Sequence, residues 1–337
     1  MNVRIADVAA AANVSISTAS RVLAGRGETT SATRARILEA AHDLGYQRGT
    51  ERRGRPRSRG AFLIDLVMGQ FHDPWTDEIT AGARTAAAHH GYDLVLTVER
   101  DHPDDDWPSR IRSRNSAGVV AGLIRPTHDQ LAILEGARIP VVLLEPPTDL
   151  RTGLTSVGAT DWQGGFDAAA HLIACGLREL VVIADQPHYR YGRERIRGFR
   201  EAVERLAPDI HLTVLSHSWS DSMAEQWMLR NLFAGRTSPV GVFALTHYIA
   251  RSVYAAAAMA HLRIPEDVSV IGFDDTIDSK YLLPPLTTMH QPLRKMAAAA
   301  VDIVVRTAEG APLPGERIEL STSLILRSST SGVPLNP

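Results

Sequence analysis

The chain has 337 residues, 44% of them hydrophobic, enough for two or three domains with sizeable cores. One cysteine, Cys175, excludes internal disulfides and thiolate metal clusters and fits a reducing compartment. The net charge of −2 conceals a split, because residues 1–60 hold eleven arginines against five acidic residues, giving +6 there and −8 elsewhere. A basic head on an acidic body suits a polyanion bound by one end, since phosphate neutralisation supplies much of such affinity. The first residues show no apolar signal region, and no apolar stretch approaches about 18 residues. The expectation is a cytoplasmic protein, neither exported nor membrane-spanning.

Ile5, Val8, Ala9 and Ala12 recur at helical spacing and predict the inner face of a first helix. Asn13-Val14-Ser15 breaks that run, with Val14 as an apolar plug and Ser15 as N-cap of a second helix. The second helix, about 16–23, turns Ala19, Val22 and Leu23 inward and leaves Ile16, Ser17, Thr18 and Arg21 outside. This is a helix-turn-helix, whose second helix offers its N-terminal end to base edges in the DNA major groove. A third helix is expected from Ser31 as N-cap to Leu44, closing at Gly45, with Ile37, Ala41 and Leu44 completing a three-helix core. Thr33 and Arg34 at its start can hold a phosphate. Residues 47–60 are arginine-rich and lack hydrophobic periodicity, and Gly54 and Pro56 oppose a helix there.

From residue 61 apolar runs alternate with helical patterns. Strands are expected at 61–68, 92–98, 117–124, 140–144, 180–184, 211–215, 239–244 and 267–272. Helices are expected near 76–90, 127–137, 161–175, 193–206, 221–234 and 248–262. Such alternation means parallel sheets wrapped by helices.

Two groups of segments resemble the lactose-repressor/galactose-repressor (LacI/GalR) family. The head carries Ile5-Ala6-Asp7-Val8-Ala9, Val14-Ser15, Ser20-Arg21-Val22-Leu23, Thr33-Arg34 and Leu44-Gly45-Tyr46. The body carries Arg195-Ile196-Arg197-Gly198-Phe199, the run Ile264 to Asp275, and Pro285 to Pro292. The resemblance implies a small all-α helix-turn-helix head on an α/β core of two parallel-sheet subdomains, like a periplasmic binding protein. Three crossovers, near 157–160, 285–291 and 315–322, would join the subdomains around an effector cleft. It implies a DNA-binding domain at 1–46, a linker at 47–60 and an effector and dimerisation domain at 61–337. It also implies a homodimer on a pseudo-palindromic double-stranded operator. Asp73-Pro74-Trp75 and Ser156 to Trp162 resemble an actinobacterial branch associated with sugar response.

On that resemblance Ile16, Ser17 and Arg21 are base-reading positions. Arg21 can pair two donors with guanine or contact phosphate alone, and Ile16 can touch a thymine methyl. Ser17 and Thr18 can equally serve phosphates. In the linker, Arg55 stands where relatives carry the leucine of a minor-groove hinge helix, and Pro56 follows. Arg53-Gly54-Arg55-Pro56-Arg57 instead resembles an AT-hook core, to be weighed against diffuse phosphate contacts.

Trp75 and Trp219 match family positions that cover a bound sugar or base, and Asp274 and Arg195 match its polar ligands. Asp274 could alternatively serve a cap or turn, and Arg195 a surface ion pair. Asp161 and Trp162 are further candidates, with helix capping the alternative for Asp161. His247 stands where relatives carry Asp, which changes the charge of the cleft, or it is a cap-region residue. Asp73 and Tyr191 are secondary contacts.

No phosphate-cradling glycine motif or nucleophile elbow is present, so no cofactor, metal or enzymatic activity is expected. His89-His90 and Asp104-Asp105-Asp106 lack the spacing of a metal site. Cys175 is expected to be a buried small residue. The leading reading is a small-molecule-controlled repressor responding to a sugar, with a sugar phosphate or purine the alternative ligand. The competing reading is a solute-binding or sugar-processing protein with a vestigial DNA-binding head.

Overall fold

The computed structural model describes residues 5–23, 29–44, 62–100, 106–148, 153–185, 189–216, 224–235 and 239–330. They fall into two compact units, one within residues 1–58 and one within 59–337. The linker predicted at 47–60 lies outside the described residues.

The first unit is three helices, α1 (Ile5–Ala11), α2 (Ile16–Leu23) and α3 (Ser31–Asp43). Val8, Ala9, Ala12, Ala19, Val22, Ile37 and Ala41 form its buried centre. Asn13 takes a left-handed φ of 50° and turns the chain between α1 and α2, a conformation that asparagine tolerates well. Ser15 Oγ accepts from Thr18 N at 3.1 Å, the capping bond expected at the start of α2. Two expectations for α3 are corrected. Its N-cap is Thr30, not Ser31, with Thr30 Oγ1 accepting from Thr33 N at 3.3 Å. Leu44 is exposed, because it is the C-cap residue, beyond the last turn that faces the core.

The second unit holds two six-stranded sheets. β1 (Leu63–Met68), β2 (Asp93–Val98), β3 (Gly118–Gly122), β4 (Val141–Leu144), β5 (Ser156–Ala159) and β11 (Arg317–Leu320) form the first, ordered β11-β5-β4-β3-β1-β2. β6 (Glu179–Ala184), β7 (His211–Ser216), β8 (Val240–Ala244), β9 (Val268–Asp274), β10 (Thr287–His290) and β12 (Ser323–Ile325) form the second, ordered β12-β10-β9-β8-β6-β7. All neighbours are parallel except β12, which runs antiparallel to β10. β3, β8 and β9 are buried along their whole length, as strands covered by helices on both faces must be.

The chain changes sheets three times, between Ala159 and the helix that follows, after His290, and between Leu320 and Ser323. These are the three crossovers expected. Helices α4 (Pro74–His89), α5 (Trp107–Arg114), α6 (His128–Gly136), α7 (Asp161–Ala174), α8 (Arg190–Leu206), α9 (Ala224–Met228), α10 (His247–Met259) and α11 (Leu293–Ala308) cover the sheets. The residues expected to form one helix at 221–234 instead give α9 and a π-helical turn at Leu229–Phe233. Helix α11 follows the second sheet yet packs on the first, with Leu293, Met296, Ala300 and Val304 sharing a core with Ile64, Ile79 and Ala83. This return of the chain ties the two sheets into one unit. α7 and α8 touch backbone to backbone. A Cβ on Gly198 would lie 1.9 Å from Trp162 O, and one on Gly165 2.0 Å from Arg195 O.

Candidate functional site

In both sheets the strand order reverses beside the first strand, between β1 and β3 and between β6 and β8. In open parallel sheets ligands bind outside the carboxyl ends of strands at such reversals. A cavity of about 970 Å³ lies there, between the two sheets. Gln70, Asp73 and Trp75 follow β1, Leu123 follows β3 and Glu145 follows β4. From the second sheet come Asp185 after β6, Thr246 and His247 after β8, Asp274 ending β9 and Gln291 after β10.

Asp73 builds one wall by capping α4. Its Oδ1 accepts from Trp75 N and Thr76 N, both at 2.9 Å, while its Oδ2 accepts from Gln70 Nε2 at 3.0 Å. With Pro74 in the first turn, this fixes Trp75 at the cavity, largely buried.

Asp274 is the hub of the opposite wall. Its Oδ2 accepts from His247 N at 3.2 Å and lies 3.0 Å from His247 Nδ1. Its Oδ1 accepts from Gln291 Nε2 at 3.3 Å, and Arg195 Nη1 stands 3.8 Å away. Burial pushes this carboxyl up, but the His247 hydrogen bond and the charge of Arg195 more than compensate, so it is held below its ordinary range.

Arg195 is buried and not the surface residue of the alternative reading. Its Nε donates to Asp161 Oδ1 at 3.0 Å, its Nη1 donates to Leu245 O, and its guanidinium lies 3.5 Å from the centre of the Phe273 ring. Asp161 therefore spends its side chain on Arg195, and Thr160 takes the N-cap position of α7. Burial pushes Asp161 up despite Arg195 and Arg317.

A third carboxylate, Glu145, extends this cluster across the crossovers. It accepts from Ala159 N and, at 3.3 Å, from Arg317 Nη2, which also lies 3.7 Å from Asp161 Oδ2. Burial, then the nearby Asp161 charge, pushes Glu145 up to about 7 in spite of Arg317. Gly158 makes room, since a Cβ there would meet Arg317 Nη2 at 2.0 Å and Glu145 Oε1 at 2.3 Å. Arg190 of α8 donates to Glu319 of β11 at 3.1 Å, so ion pairs link the two sheets beside the cavity.

Of the residues expected at the cleft, Asp73, Trp75, Tyr191, Arg195, His247 and Asp274 all line the cavity. Asp161 lies one residue behind them, through Arg195. Trp162 is not in the lining and rests on Phe166, ring centres 5.4 Å apart. Trp219 lies outside the described residues. Sequence reasoning missed Gln70, Glu145, Asp185 and Gln291. The signal was present for three of them, because Gln70, Glu145 and Asp185 are among the first polar residues after an apolar strand, whereas Gln291 follows the largely polar run Thr287-Thr288-Met289-His290. Cys175, expected to be buried, is partly exposed, with Sγ 3.6 Å from His171 Nε2.

In the first unit, Ile16 is 55% exposed at the start of α2. Ser17 and Arg21 are exposed and Thr18 partly so. Ser15 Oγ lies 2.8 Å from both Ser17 Oγ and Thr18 Oγ1, and Arg21 Nε donates to Ser17 O at 3.3 Å. These bonds order a polar surface around one exposed apolar side chain. Thr33 and Arg34 are half-buried in the first turn of α3, whereas Arg53, Arg55 and Arg57 lie outside the described residues.

Residues 4–49 match the family described as bacterial regulatory proteins, lacI family, and residues 169–330 match the periplasmic binding protein-like domain. The chain is 27% identical to the HTH-type transcriptional regulator DegA of Bacillus subtilis (strain 168), over 100% of both chains. It is 30% identical to an uncharacterized HTH-type transcriptional regulator in the aml 5' region of Streptomyces limosus, over 97% of this chain and 94% of the other. Among solved structures, a transcriptional regulator CelR–cellobiose complex superposes with a TM-score of 0.71 at 25% identity, covering 97% of this chain and 99% of that one. No described helix is long and apolar enough to cross a membrane. A three-helix head with an ordered polar face on α2, and a cavity at the strand ends of two parallel sheets, agree with these matches throughout: the chain belongs to the LacI family of DNA-binding transcriptional regulators.

Proposed function

We propose that the protein is a transcriptional repressor, not an enzyme, that binds a pseudo-palindromic operator as a homodimer and responds to a sugar. The observation that carries this reading is the cavity walled by both sheets, with the Trp75 ring on one side and the buried Asp274–Arg195–His247 group on the other. An aromatic face suits the C–H face of a sugar ring, and convergent polar groups suit its hydroxyls. A ligand touching both sheets favours one arrangement of the halves over another, which is the condition for shifting an equilibrium. The regulator of matching fold described above was solved with cellobiose, which supports a carbohydrate here. Ile277, Tyr281 and Leu283 are exposed within seven residues, Leu283 to 88%, and supply an apolar surface for a second copy.

In this reading residues 1–46 bind DNA, 47–60 link, and 61–337 bind the effector and dimerise. Ile16, Ser17 and Arg21 read bases, and Thr18, Thr33 and Arg34 hold phosphates. Arg53, Arg55 and Arg57 serve either as a minor-groove insertion at the operator centre or as diffuse phosphate contacts. Band-shift assays with genomic fragments at two salt concentrations test the reading. A sequence-dependent shift, released by a sugar, is the expected result. Arg21→Ala should weaken the preferred fragment by about 1–3 kcal/mol and relax its preference. Arg55→Ala should selectively weaken sites with an A·T-rich centre. Binding of all fragments alike by the unaltered protein would overturn the proposal.

A further inference from the structure

The wall around Asp274 specifies more than a polar ligand. An ionised carboxylate only accepts hydrogen bonds, so the proton shared with Asp274 Oδ2 belongs to His247 Nδ1. In the neutral ring this leaves His247 Nε2 with a lone pair, and that atom is buried without a hydrogen-bond partner. Gln291 shows the same pattern. Its Nε2 is committed to Asp274 Oδ1, and its Oε1 is buried without a partner. Both residues line the cavity and flank one carboxylate, so Asp274 orients two acceptors at once. A buried acceptor left unmade is costly, and a donor brought by a ligand removes that cost.

The charges around them point the same way. Among the described residues five carboxyl groups line the cavity, on Asp73, Glu145, Asp185, Glu225 and Asp274, against the guanidinium groups of Arg195 and Arg251. Arg195 is committed to Asp161 and the Leu245 carbonyl, and Arg251 lies 3.6 Å from Asp278. Among the described lining residues both guanidinium groups already face a carboxylate, so an added phosphate or carboxylate would meet an acidic, acceptor-rich surface.

We propose that His247 and Gln291 form an acceptor pair that selects uncharged, hydroxyl-rich ligands and turns away their phosphorylated or carboxylated counterparts. The inference rests on the sugar reading above and narrows it. Isothermal titration of the full-length protein with mono- and disaccharides, each beside its phosphate ester and its aldonic acid, provides the test. The expected result is an uncharged sugar that binds roughly tenfold or more tightly than either of its anionic partners. A phosphate ester or acid that binds as tightly as its neutral parent overturns this inference and leaves the sugar reading standing. If no carbohydrate of any kind binds while operator DNA is still bound, both fall.

Two variants separate the pair from mere packing. His247→Phe keeps a planar ring without Nε2, and Gln291→Met keeps volume without Oε1. Each should weaken the neutral sugar by roughly tenfold, whereas His247→Gln, which retains an acceptor, should recover most of the loss. Undiminished sugar affinity in either folded variant would overturn the role given to that pair, and thermal melts identify which variants are folded.

Discussion

Asp65 and Asp274 are both buried carboxylates on parallel strands of the second unit, yet their surroundings differ in kind. Asp65 sits within β1 and is met by donors alone: Thr97 Oγ1 at 2.6 Å, Ser116 Oγ at 2.5 Å and the Arg114 guanidinium. It is not part of the cavity lining, and none of its own oxygens lacks a partner. Asp274 ends β9, faces the cavity, and stands between two residues that each keep an unpartnered polar atom. Burial of charge is therefore no guide to function by itself. What separates the two is position: Asp65 lies inside its strand away from the cavity, whereas Asp274 ends its strand at the cavity wall.

The sharpest way to break this distinction is at Asp65. Asp65→Ala strands Arg114 beside two hydroxyls and should lower unfolding free energy by about 3–5 kcal/mol in urea titrations. Effector affinity of the folded fraction should not change, and a parallel loss of affinity would erase the contrast. Asp274→Asn should show the reverse balance. Sugar affinity should fall by about 2–3 kcal/mol in calorimetry, with a smaller loss of stability than at Asp65.

Proton linkage supplies a third measurement. Glu145 has an ordinary value of 4.5 and is pushed up to about 7 in the folded protein. The folded state therefore binds the extra proton between those values, so this group's contribution to stability declines as pH rises through that window and is level above it. The slope should be on the order of 1 kcal/mol per pH unit and should disappear in Glu145→Gln. Asp274 has the opposite sign, because its folded value is depressed. Its contribution is present above the ordinary carboxylate range and is lost as pH falls through the depressed value. Stability measured from about pH 2 to 8 in the two variants distinguishes these slopes, because the Asp274 window lies below its ordinary value of 3.8, and equal slopes would show that the two acids share one environment. The smallest effect expected is at Ser116. Ser116→Ala removes one donor from Asp65 and should cost about 1 kcal/mol of stability, with no change in ligand or operator affinity.

Much of this arrangement is legible in the amino-acid sequence, and the exceptions have physical causes. Strands such as Val240–Ala244 are uninterrupted apolar runs between turn residues, and helix α2 is marked by a cap and a clear inner face. Helix α11 is not among the sequence expectations. Alanine fills five of its sixteen positions and gives little contrast between its faces, although Leu293, Met296, Val301 and Val304 are buried. Helix α5 is short, and arginine and serine fill five of its eight positions, so its period is weak too, although Trp107 and Ile111 are fully buried. At the cavity, the family positions locate Arg195, Asp274 and Trp75. Trp162 misleads because, one residue on from Asp161, it points along a different side of α7, toward Phe166. The pairing of Glu145 with Arg317 spans 172 residues and depends on Gly158 lacking a side chain, which no local pattern announces.

Asp274 and Asp275 also stand at positive φ, 86° and 56°, consecutively. Left-handed backbone is uncommon for a residue with a Cβ, and two in succession concentrate strain of about 1–3 kcal/mol each at one strand end. The side chains hold the bend from both sides, Asp274 through His247 and Gln291, Asp275 through His290 at 3.1 Å and Arg327 at 2.7 Å. A glycine would adopt this shape without resistance and would lose every one of those contacts. The strain of this strand end is thus held in place by the same hydrogen bonds and ion pairs that keep His247 and Gln291 beside the cavity, so relaxing the backbone here would loosen that wall.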